Sequence, residues 1–290
     1  MGERIDNEQP PCRDDSPCIV EVALTGSGFD VAVVGAGIVG LAHALAAARI
    51  GKKVIVIDRD ARANGASIRN FGFATATGQE RGAVWRRACR SCEIWDEVAE
   101  AAGIPVEHRG VAIVAGRPDA RDVLEAFLET EMGDGCRLIG PEAARNLLPM
   151  LGPDISAVLW SERELRVESR HAVPTLARWL AEAHGVTFMR STLVRAVCPP
   201  VIETTAGLVE AETCIVCPGD DFLTLFPERI AAYEVRRCKL HMMRLAPPGW
   251  RLPAAIMSDL GIGRYAGFAA LPEAQALKTR LAAEKARSEE

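Results

Sequence analysis

The chain has 290 residues, of which 49% are hydrophobic and 25% charged, and its formal net charge is −5 at pH 7. This length is sufficient for two domains with buried cores, and the mild acidity excludes a nucleic-acid binder with a basic face. The longest apolar run, residues 31–48, contains glycines and ends at Arg49, so we predict no membrane-spanning segment.

Residues 1–28 are rich in acidic residues, proline and serine, and we predict a disordered leader in which only residues 18–24 have a strand pattern. The first residues are charged and lack the apolar region of a signal peptide. The nine cysteines are an odd number without the spacing of a disulfide framework. We therefore expect a cytoplasmic protein with reduced thiols.

The stretch FDVAVVGAGIVGLAHALAAARIGKKVIVID, residues 29–58, predicts a strand, a glycine turn, a helix and a second strand. Gly35, Gly37 and Gly40 form G-x-G-x-x-G directly after the first strand. Gly35 permits a tight turn, Gly37 lets backbone approach a pyrophosphate, and Gly40 lets the helix pack on the strand. Gly51 stands where a helix commonly ends.

The predicted helix directs its positive dipole end at the glycine turn, which favours an anion there. The backbone of Gly37, Ile38, Val39 and Gly40 is therefore the predicted pyrophosphate contact. Asp58 closes the second strand, where a carboxylate accepts hydrogen bonds from a ribose diol and repels a 2′-phosphate. These residues predict an unphosphorylated adenine dinucleotide, but they do not separate FAD from NAD, because both present ADP to the turn.

Periodicity predicts the remaining elements, beginning with a long, polar, glycine-rich loop over residues 59–79 that is typical of a segment covering a ligand. The elements after it are helix 81–102, strand 106–115, helix 119–132, a turn and short helix over 138–148, a strand pair at 157–160 and 164–167, helix 172–184 and strand 186–189. The last are a meander over 193–197, 201–205 and 208–212, strand 213–217, a long strand over 233–245 and a charged helix over 271–290.

This order predicts an α/β fold in which a Rossmann-type domain is interleaved with an antiparallel-sheet substrate domain. The predicted dinucleotide domain comprises residues 29–80 and 171–226. The predicted substrate domain comprises residues 81–170 and 227–270, and the charged helix follows it.

Two C-x-x-C pairs, Cys89/Cys92 and Cys214/Cys217, raise the alternative of a zinc site. The second pair lies in a predicted strand, where positions three apart point to opposite faces and cannot share one ion. The first pair lies on one face of a predicted helix, where thiols pack as small apolar groups. We therefore predict no metal.

Three motifs connect the chain to a known family: VAVVGAGIVGLAHALAAARIGKKVIVIDRD at 31–60, GASIRNFG at 65–72 and IVCPGDDFLTLFP at 215–227. They resemble the D-amino-acid oxidase, glycine oxidase and sarcosine oxidase superfamily of FAD-dependent amine oxidoreductases. GASIRNFGFATATGQ, CPGDDFLTLFPE and RRCKLHMMR are most similar to a branch associated with phosphonate catabolism. The resemblance implies an FAD-binding Rossmann-type domain and a small amine substrate, such as an aminophosphonate or amino acid.

The resemblance also implies contacts to FAD beyond the glycine turn. The residues concerned are Ser67, Arg69, Asn70, Gly72, Val194 and Gly219, with Arg59 as a candidate beside the adenine. In that superfamily the loop lies along the flavin, and the glycines allow close approach. Each position has an alternative interpretation, as a surface turn, a core valine or a solvated arginine.

In that superfamily hydride passes from the substrate to the flavin and leaves an imine that water hydrolyses. Since the cofactor performs this chemistry, no catalytic side chain is assigned. An anionic substrate group would need a cation, and Arg69 and Arg170 are the candidates. His171 and His241 are further candidates, with ordinary structural roles as the alternative.

The superfamily continues with a glycine-containing segment that contacts the flavin ring, whereas this sequence stops at Glu290. We therefore expect an incomplete substrate domain, in a truncated or frameshifted product or in a fragment. Two alternative functions stay open: an NAD-dependent dehydrogenase with the same fingerprint, and a non-catalytic remnant that binds FAD. The electron acceptor and the oligomeric state are not predicted.

Overall fold

A computed structural model describes residues 28–239, 241–246 and 249–288. The chain divides into two compact units: the first runs to Ala66 and resumes over Ala177–Cys238, and the second comprises Ser67–Leu176 and the residues from Lys239 onward. The predicted leader, apart from its last residue, lies outside the described residues. The domain bounds at residues 80, 170 and 226 remain a sequence-based prediction.

The described residues form strands and helices in an alternating order that is typical of an α/β fold. In chain order they are β1 (Phe29–Val34), α1 (Ile38–Arg49), β2 (Val54–Ile57), β3 (Phe73–Ala74), α2 (Ala83–Ala102), β4 (Val106–Ala115), α3 (Pro118–Leu128), β5 (Cys136–Ile139), α4 (Pro141–Leu147), β6 (Ala157–Val167), α5 (Ser169–His184), β7 (Thr187–Met189), β8 (Val194–Cys198), β9 (Val201–Thr204), β10 (Gly207–Val216), α6 (Pro227–Ala231), β11 (Ala255–Met257), α7 (Asp259–Ile262), α8 (Ala266–Ala269) and α9 (Ala274–Ser288). Within the described part of the chain, no helix combines the length and apolarity needed to cross a membrane.

The first unit contains a six-stranded sheet of order β7-β2-β1-β10-β9-β8. Strands β7, β2, β1 and β10 run parallel, and β9 and β8 continue the sheet in antiparallel pairing. All four residues of β2 are buried, as expected for a parallel strand covered on both faces. The carboxyl ends of the parallel strands share one edge, so the loops that follow β1, β2 and β10 lie beside one another.

Strand β10 differs from the prediction, which divided it between a meander strand and a closing strand. Gly207 to Glu210 pair antiparallel with β9, and Ala211 onward pairs parallel with β1. The two predicted strands are one, because one edge of β10 bonds to β9 over its first half and the other edge to β1 over its second half. The polar residues Glu212 and Thr213 therefore lie inside one strand.

The second unit contains a sheet of order β11-β4-β6-β3, with β5 also beside β6. Its β4–β6, β3–β6 and β5–β6 pairs are antiparallel, as predicted for this region, and β11 joins β4 in parallel. Val111 and Ile113 of β4 are fully buried in a core with Phe127 of α3 and Phe268 of α8. The two phenylalanine ring centroids are 4.5 Å apart, so these helices cover one face of the sheet.

The predicted strand pair at 157–160 and 164–167 is wrong, because β6 is continuous over Ala157–Val167. Its polar stretch stays in the sheet since the buried Glu164 has a partner: its Oε1 accepts from Thr77 N at 2.9 Å and Thr77 Oγ1 at 2.5 Å. The pairing of β4 with β6 changes register at two places, between Val106 and His108 and between Arg109 and Val111, and both strands continue through these shifts. A polar bend is therefore not needed to explain the sequence.

The predicted long strand over 233–245 is also wrong, since the described residues 235–239 and 241–246 contain no strand. Tyr233 is 82% exposed, Met243 89% and Leu245 82%. An alternating pattern forms a strand only where a neighbouring strand and an apolar face receive it. Here the apolar side chains lie in solvent, and Arg237 instead donates to the Asp220 carbonyl at 2.7 Å.

The C-terminal helix α9 has an apolar face that the prediction of a charged helix overlooked. Ala274 and Leu277 are fully buried in the core of the second unit. Arg117 Nη2 donates to Glu284 Oε2 at 2.5 Å, and its Nη1 donates to the buried Asp259 at 2.5 Å. The ion pair between Glu284 and Arg117 therefore holds α9 against the rest of the second unit.

Candidate dinucleotide-binding site

The glycine turn follows β1 and requires glycine at two positions. Gly35 has φ +103°, and its N–H donates to the Ile57 carbonyl at 2.8 Å. A Cβ at Gly35 would lie 2.3 Å from the Cys217 carbonyl oxygen, and one at Gly40 would lie 1.9 Å from the Gly35 carbonyl oxygen. Backbone therefore approaches backbone at both positions, and the turn and helix have the geometry predicted for them.

Helix α1 begins at this turn with an open N-terminus, by which we mean that no side chain caps it. Its N-cap is Gly37, which has no side chain, and its first turn contains no acidic residue. The first-turn N–H groups of any α-helix point out of its N-terminal end, and the Val39 side chain beside them is 58% exposed. The positive end of the helix is thus accessible to an anion.

Asp58 follows β2 and faces the glycine turn. Its Oδ2 accepts a hydrogen bond from Ala36 N at 2.6 Å, and its Oδ1 accepts from Asp60 N at 2.8 Å. Each carboxylate oxygen retains capacity for a further hydrogen bond. The carboxylate is therefore held beside the helix N-terminus, where the hydroxyls of an adenosine ribose would find an acceptor.

Arg59 has a partner that the sequence analysis missed. Its Nη1 donates to Asp221 Oδ2 at 2.5 Å, which joins the loop after β2 to the loop after β10. Asp221 also accepts from Thr224 Oγ1 at 2.6 Å and from the N–H groups of Leu223 and Thr224 at 3.1 Å. The Thr224 hydroxyl, these N–H groups and Arg59 lower the pKa of Asp221 to about 2.

A sequence signal for this turn existed. Asp side chains in turns commonly bond the backbone two residues ahead of them, and Asp221 follows the turn residues Pro218 and Gly219. The pairing of Asp221 with Arg59 carries no such signal, because 162 positions separate the two residues.

Val194 and Gly219 lie at strand ends of the first unit. Val194 begins β8 and is 2% exposed, within the core of this sheet. Gly219 follows β10 with φ +64°, and a Cβ there would meet no atom of the described residues within 4 Å. Gly219 therefore has the conformation that favours glycine, and the side chain of Val194 serves the core.

The loop at 67–72 belongs to the second unit, and three hydrogen bonds of the Asn70 side chain lie within that unit. Asn70 Oδ1 accepts from Gly72 N at 2.7 Å and from Ser169 Oγ at 2.8 Å, and Asn70 Nδ2 donates to Ser67 O at 2.9 Å. Gly72 has φ +67°, and a Cβ there would lie 1.9 Å from the Val167 carbonyl oxygen. These bonds hold the loop against the junction of β6 and α5. The role of Ser169 was not predicted.

The predicted substrate-binding candidates are exposed. The side chains concerned are Arg69, Arg170, His171 and His241.

Burial raises the pKa of the Cys92 thiol to about 12, which describes an inert core thiol. In the described ranges, no group of three or more His, Cys, Asp and Glu residues could hold a metal ion.

The parallel sheet, the glycine turn, the open helix N-terminus and Asp58 define a dinucleotide-binding α/β protein. The chain belongs to the family of FAD-dependent oxidoreductases described as DAO, whose profile matches residues 30–275. FAD is the cofactor of this family. No curated protein matches the chain.

Solved structures of known proteins have a similar fold. Glycine oxidase from Bacillus cereus is 20% identical, with a TM-score of 0.57 over 65% of this chain and 55% of its own. L-proline dehydrogenase from P. horikoshii is 20% identical, with a TM-score of 0.61 over 70% and 56%. L-α-glycerophosphate oxidase from Mycoplasma pneumoniae, with FAD bound, is 20% identical, with a TM-score of 0.55 over 66% and 53%. The chain thus spans little more than half the length of each.

Proposed function

We propose that this chain binds FAD at the glycine turn and serves the oxidation of a small amine, either an aminophosphonate or an amino acid. The observation that carries the proposal is the Asp58 carboxylate, held 2.6 Å from Ala36 N beside the open N-terminus of α1. A dinucleotide with an unphosphorylated ribose matches this combination of a positive helix end and a fixed acid. Membership of an FAD-dependent family supports FAD over NAD.

Each residue of the turn has a defined task in this proposal. The backbone N–H groups of Gly37 to Gly40 would bind the pyrophosphate, and Asp58 would accept hydrogen bonds from the ribose hydroxyls. Bound FAD supplies hydride acceptance from the carbon that carries the amine, and the resulting imine is hydrolysed by water.

The loop residues Ser67, Arg69, Asn70 and Gly72 remain predicted flavin contacts, as do the strand-end residues Val194 and Gly219. The bonds of Asn70 indicate that its first task is to shape the loop. Its contribution to flavin binding would then be indirect.

Two observations support the substrate class. Glycine oxidase and L-proline dehydrogenase, two proteins of similar fold, are named for amino-acid substrates. The motif resemblance favours an aminophosphonate. The exposed guanidinium of Arg69 or Arg170 would bind the anionic group of either substrate. The cytoplasmic location remains a prediction.

Flavin content after purification and after reconstitution with FAD tests the cofactor proposal. We expect a yellow protein that releases FAD on acid treatment, and Asp58→Ala should retain at least about tenfold less FAD because the ribose acceptor is gone. Asp30→Ala is the matched control, since Asp30 accepts from Lys53 N at the amino ends of the same strands. A colourless wild type that NADH protects from melting would instead establish an NAD-dependent protein.

Anaerobic bleaching of the bound flavin tests the substrate proposal. Amino acids and aminoalkylphosphonates, each added to the FAD-loaded protein, should include at least one amine that removes the flavin absorbance. A loaded protein that no amine bleaches would indicate a binding remnant rather than an amine oxidoreductase.

A further inference from the structure

The Arg59–Asp221 pair links two loops at the edge of the sheet where the glycine turn lies. Strands β2 and β10 flank β1 on either side, and the pair connects the residue after Asp58 to the loop after β10. The Asp221 side chain is 15% exposed and the Arg59 side chain 51% exposed. The pair therefore lies partly out of solvent, where a short ion pair is screened less than at a fully exposed site.

An arginine in this position has a known chemical consequence. In dinucleotide-binding folds, an acid at the end of the second strand selects a free ribose hydroxyl, whereas a nearby arginine accommodates a 2′-phosphate. This chain has both groups in succession, as Asp58 and Arg59. Whether the site accepts a ribose with a 2′-phosphate therefore depends on whether the Arg59 guanidinium can bind that phosphate.

The surroundings of Arg59 decide that question. Its Nη1 is engaged by Asp221 at 2.5 Å, and its Nε lies 3.9 Å from Asp60 Oδ2. Asp221 is itself fixed, because Thr224 Oγ1 and two backbone N–H groups bond to it. The cation is thus neutralised and oriented by a carboxylate that the turn after β10 holds in place.

We propose that Asp221 is a specificity-determining residue, which retains Arg59 and thereby keeps the adenosine end of the site selective for an unphosphorylated ribose. The inference rests on the proposed dinucleotide site. Asp58 rejects a 2′-phosphate by its charge, and Asp221 engages the cation next to it in sequence, Arg59, which could offset that rejection. Without the Asp221 charge, Arg59 would be released to attract the phosphate.

Binding of 5′-AMP and of adenosine 2′,5′-bisphosphate to the apoprotein tests this, because the two probes differ only in the 2′-phosphate. Titration calorimetry on wild type should favour 5′-AMP. In Asp221→Asn the relative affinity for the bisphosphate should rise about tenfold, and raised salt should reduce that gain. The double variant Asp221→Asn, Arg59→Ala should return the ratio to that of wild type.

Asp220→Asn is the matched control, since it removes the same charge from the residue before Asp221. The Asp220 carboxylate lies 4.0 Å from Arg237 rather than beside Arg59. This variant should leave the ratio unchanged. If Asp221→Asn does not fold, Thr224→Val removes one bond that orients Asp221 and should shift the ratio in the same direction by a smaller factor.

The outcomes separate the two proposals. An unchanged ratio in folded Asp221→Asn, or an equal gain in Asp220→Asn, would overturn the role of Asp221 while leaving the dinucleotide site intact. A wild type that binds neither 5′-AMP nor FAD would overturn the dinucleotide site, and the role of Asp221 with it.

Discussion

The glycine turn of the first unit and the loop at 67–72 of the second unit differ in how they use their polar groups. Both contain a glycine that no other residue could replace, since a Cβ at Gly40 or Gly72 would lie 1.9 Å from a backbone oxygen. In the turn, the helix N-terminus is open and Asp58 retains capacity for a ligand. In the loop, the Asn70 side chain bonds to Ser67, Gly72 and Ser169.

The motifs of this family therefore combine ligand-binding groups with groups that shape the backbone. The turn presents backbone N–H groups, which sequence reasoning can assign because every helix has them. The loop presents side chains, whose partners depend on the fold. Variants in the two regions should therefore affect different properties.

Gly40→Ala should have the largest effect. Its Cβ would meet the Gly35 carbonyl oxygen at 1.9 Å, so helix and strand must separate, and we expect a loss of roughly 3 kcal/mol or more in unfolding free energy. FAD binding should be abolished as well. Urea unfolding measures the first effect and flavin content the second. Gly65→Ala is the control, since its Cβ would meet no described atom within 4 Å, and equal losses in both variants would refute the steric account.

Asp259→Ala should have the second-largest effect. Comparison with a variant of Asp58 should distinguish a structural carboxylate from a ligand-binding one. Asp259 is 3% exposed, accepts from Gly116 N at 2.9 Å and pairs with Arg117 at 2.5 Å. Removing a buried partner of this kind costs about 3 kcal/mol, and chemical denaturation should report it. Asp58→Asn should instead lose FAD with a smaller loss of stability, about 1 kcal/mol, because the amide leaves one of two backbone N–H groups without its acceptor. If the two variants behaved alike, the contrast between the units would fail.

Asn70→Ala should lower stability by about 1–2 kcal/mol, because the Gly72 N–H and the Ser169 hydroxyl lose their acceptor. Any loss of FAD-binding free energy should be no larger than this loss of unfolding free energy. Thermal melting with and without FAD distinguishes the two. Arg69→Ala is the control, since Arg69 is exposed and its removal should change stability by less than about 0.5 kcal/mol.

Thiol reactivity should show the smallest effect and should be similar in the two units. Burial raises the pKa of Cys214 in the first unit to about 11 and of Cys92 in the second to about 12, from 9.0. Both thiols stabilise the fold fully below about pH 9, and this contribution is lost as pH rises towards these values. At about pH 8 a thiol reagent should modify the exposed Cys198 and Cys238 before the other cysteines of the described residues. Rapid labelling of Cys92 in the folded protein would contradict its burial.

Local patterns predicted the elements whose neighbours are close in sequence. The run from Phe29 to Asp58 contains the strand, turn, helix and second strand in one segment, so periodicity and three glycines were sufficient to place them. Prediction was wrong where pairing decided the outcome. The polar residues of β6 stay in a strand because Thr77 meets Glu164, and the apolar pattern over 233–245 forms no described strand because its side chains find no covering face.

The interleaved α/β class, the glycine turn and the acid after its second strand were predictable from the sequence alone, because the steric demands of glycine and helix geometry act between near neighbours. The fold was needed to show that Arg59 pairs with Asp221, that Ser169 bonds Asn70 and that Glu284 of α9 pairs with Arg117. Side-chain pairs of this kind join residues far apart in the chain, and their energies depend on distance and burial that no linear pattern encodes.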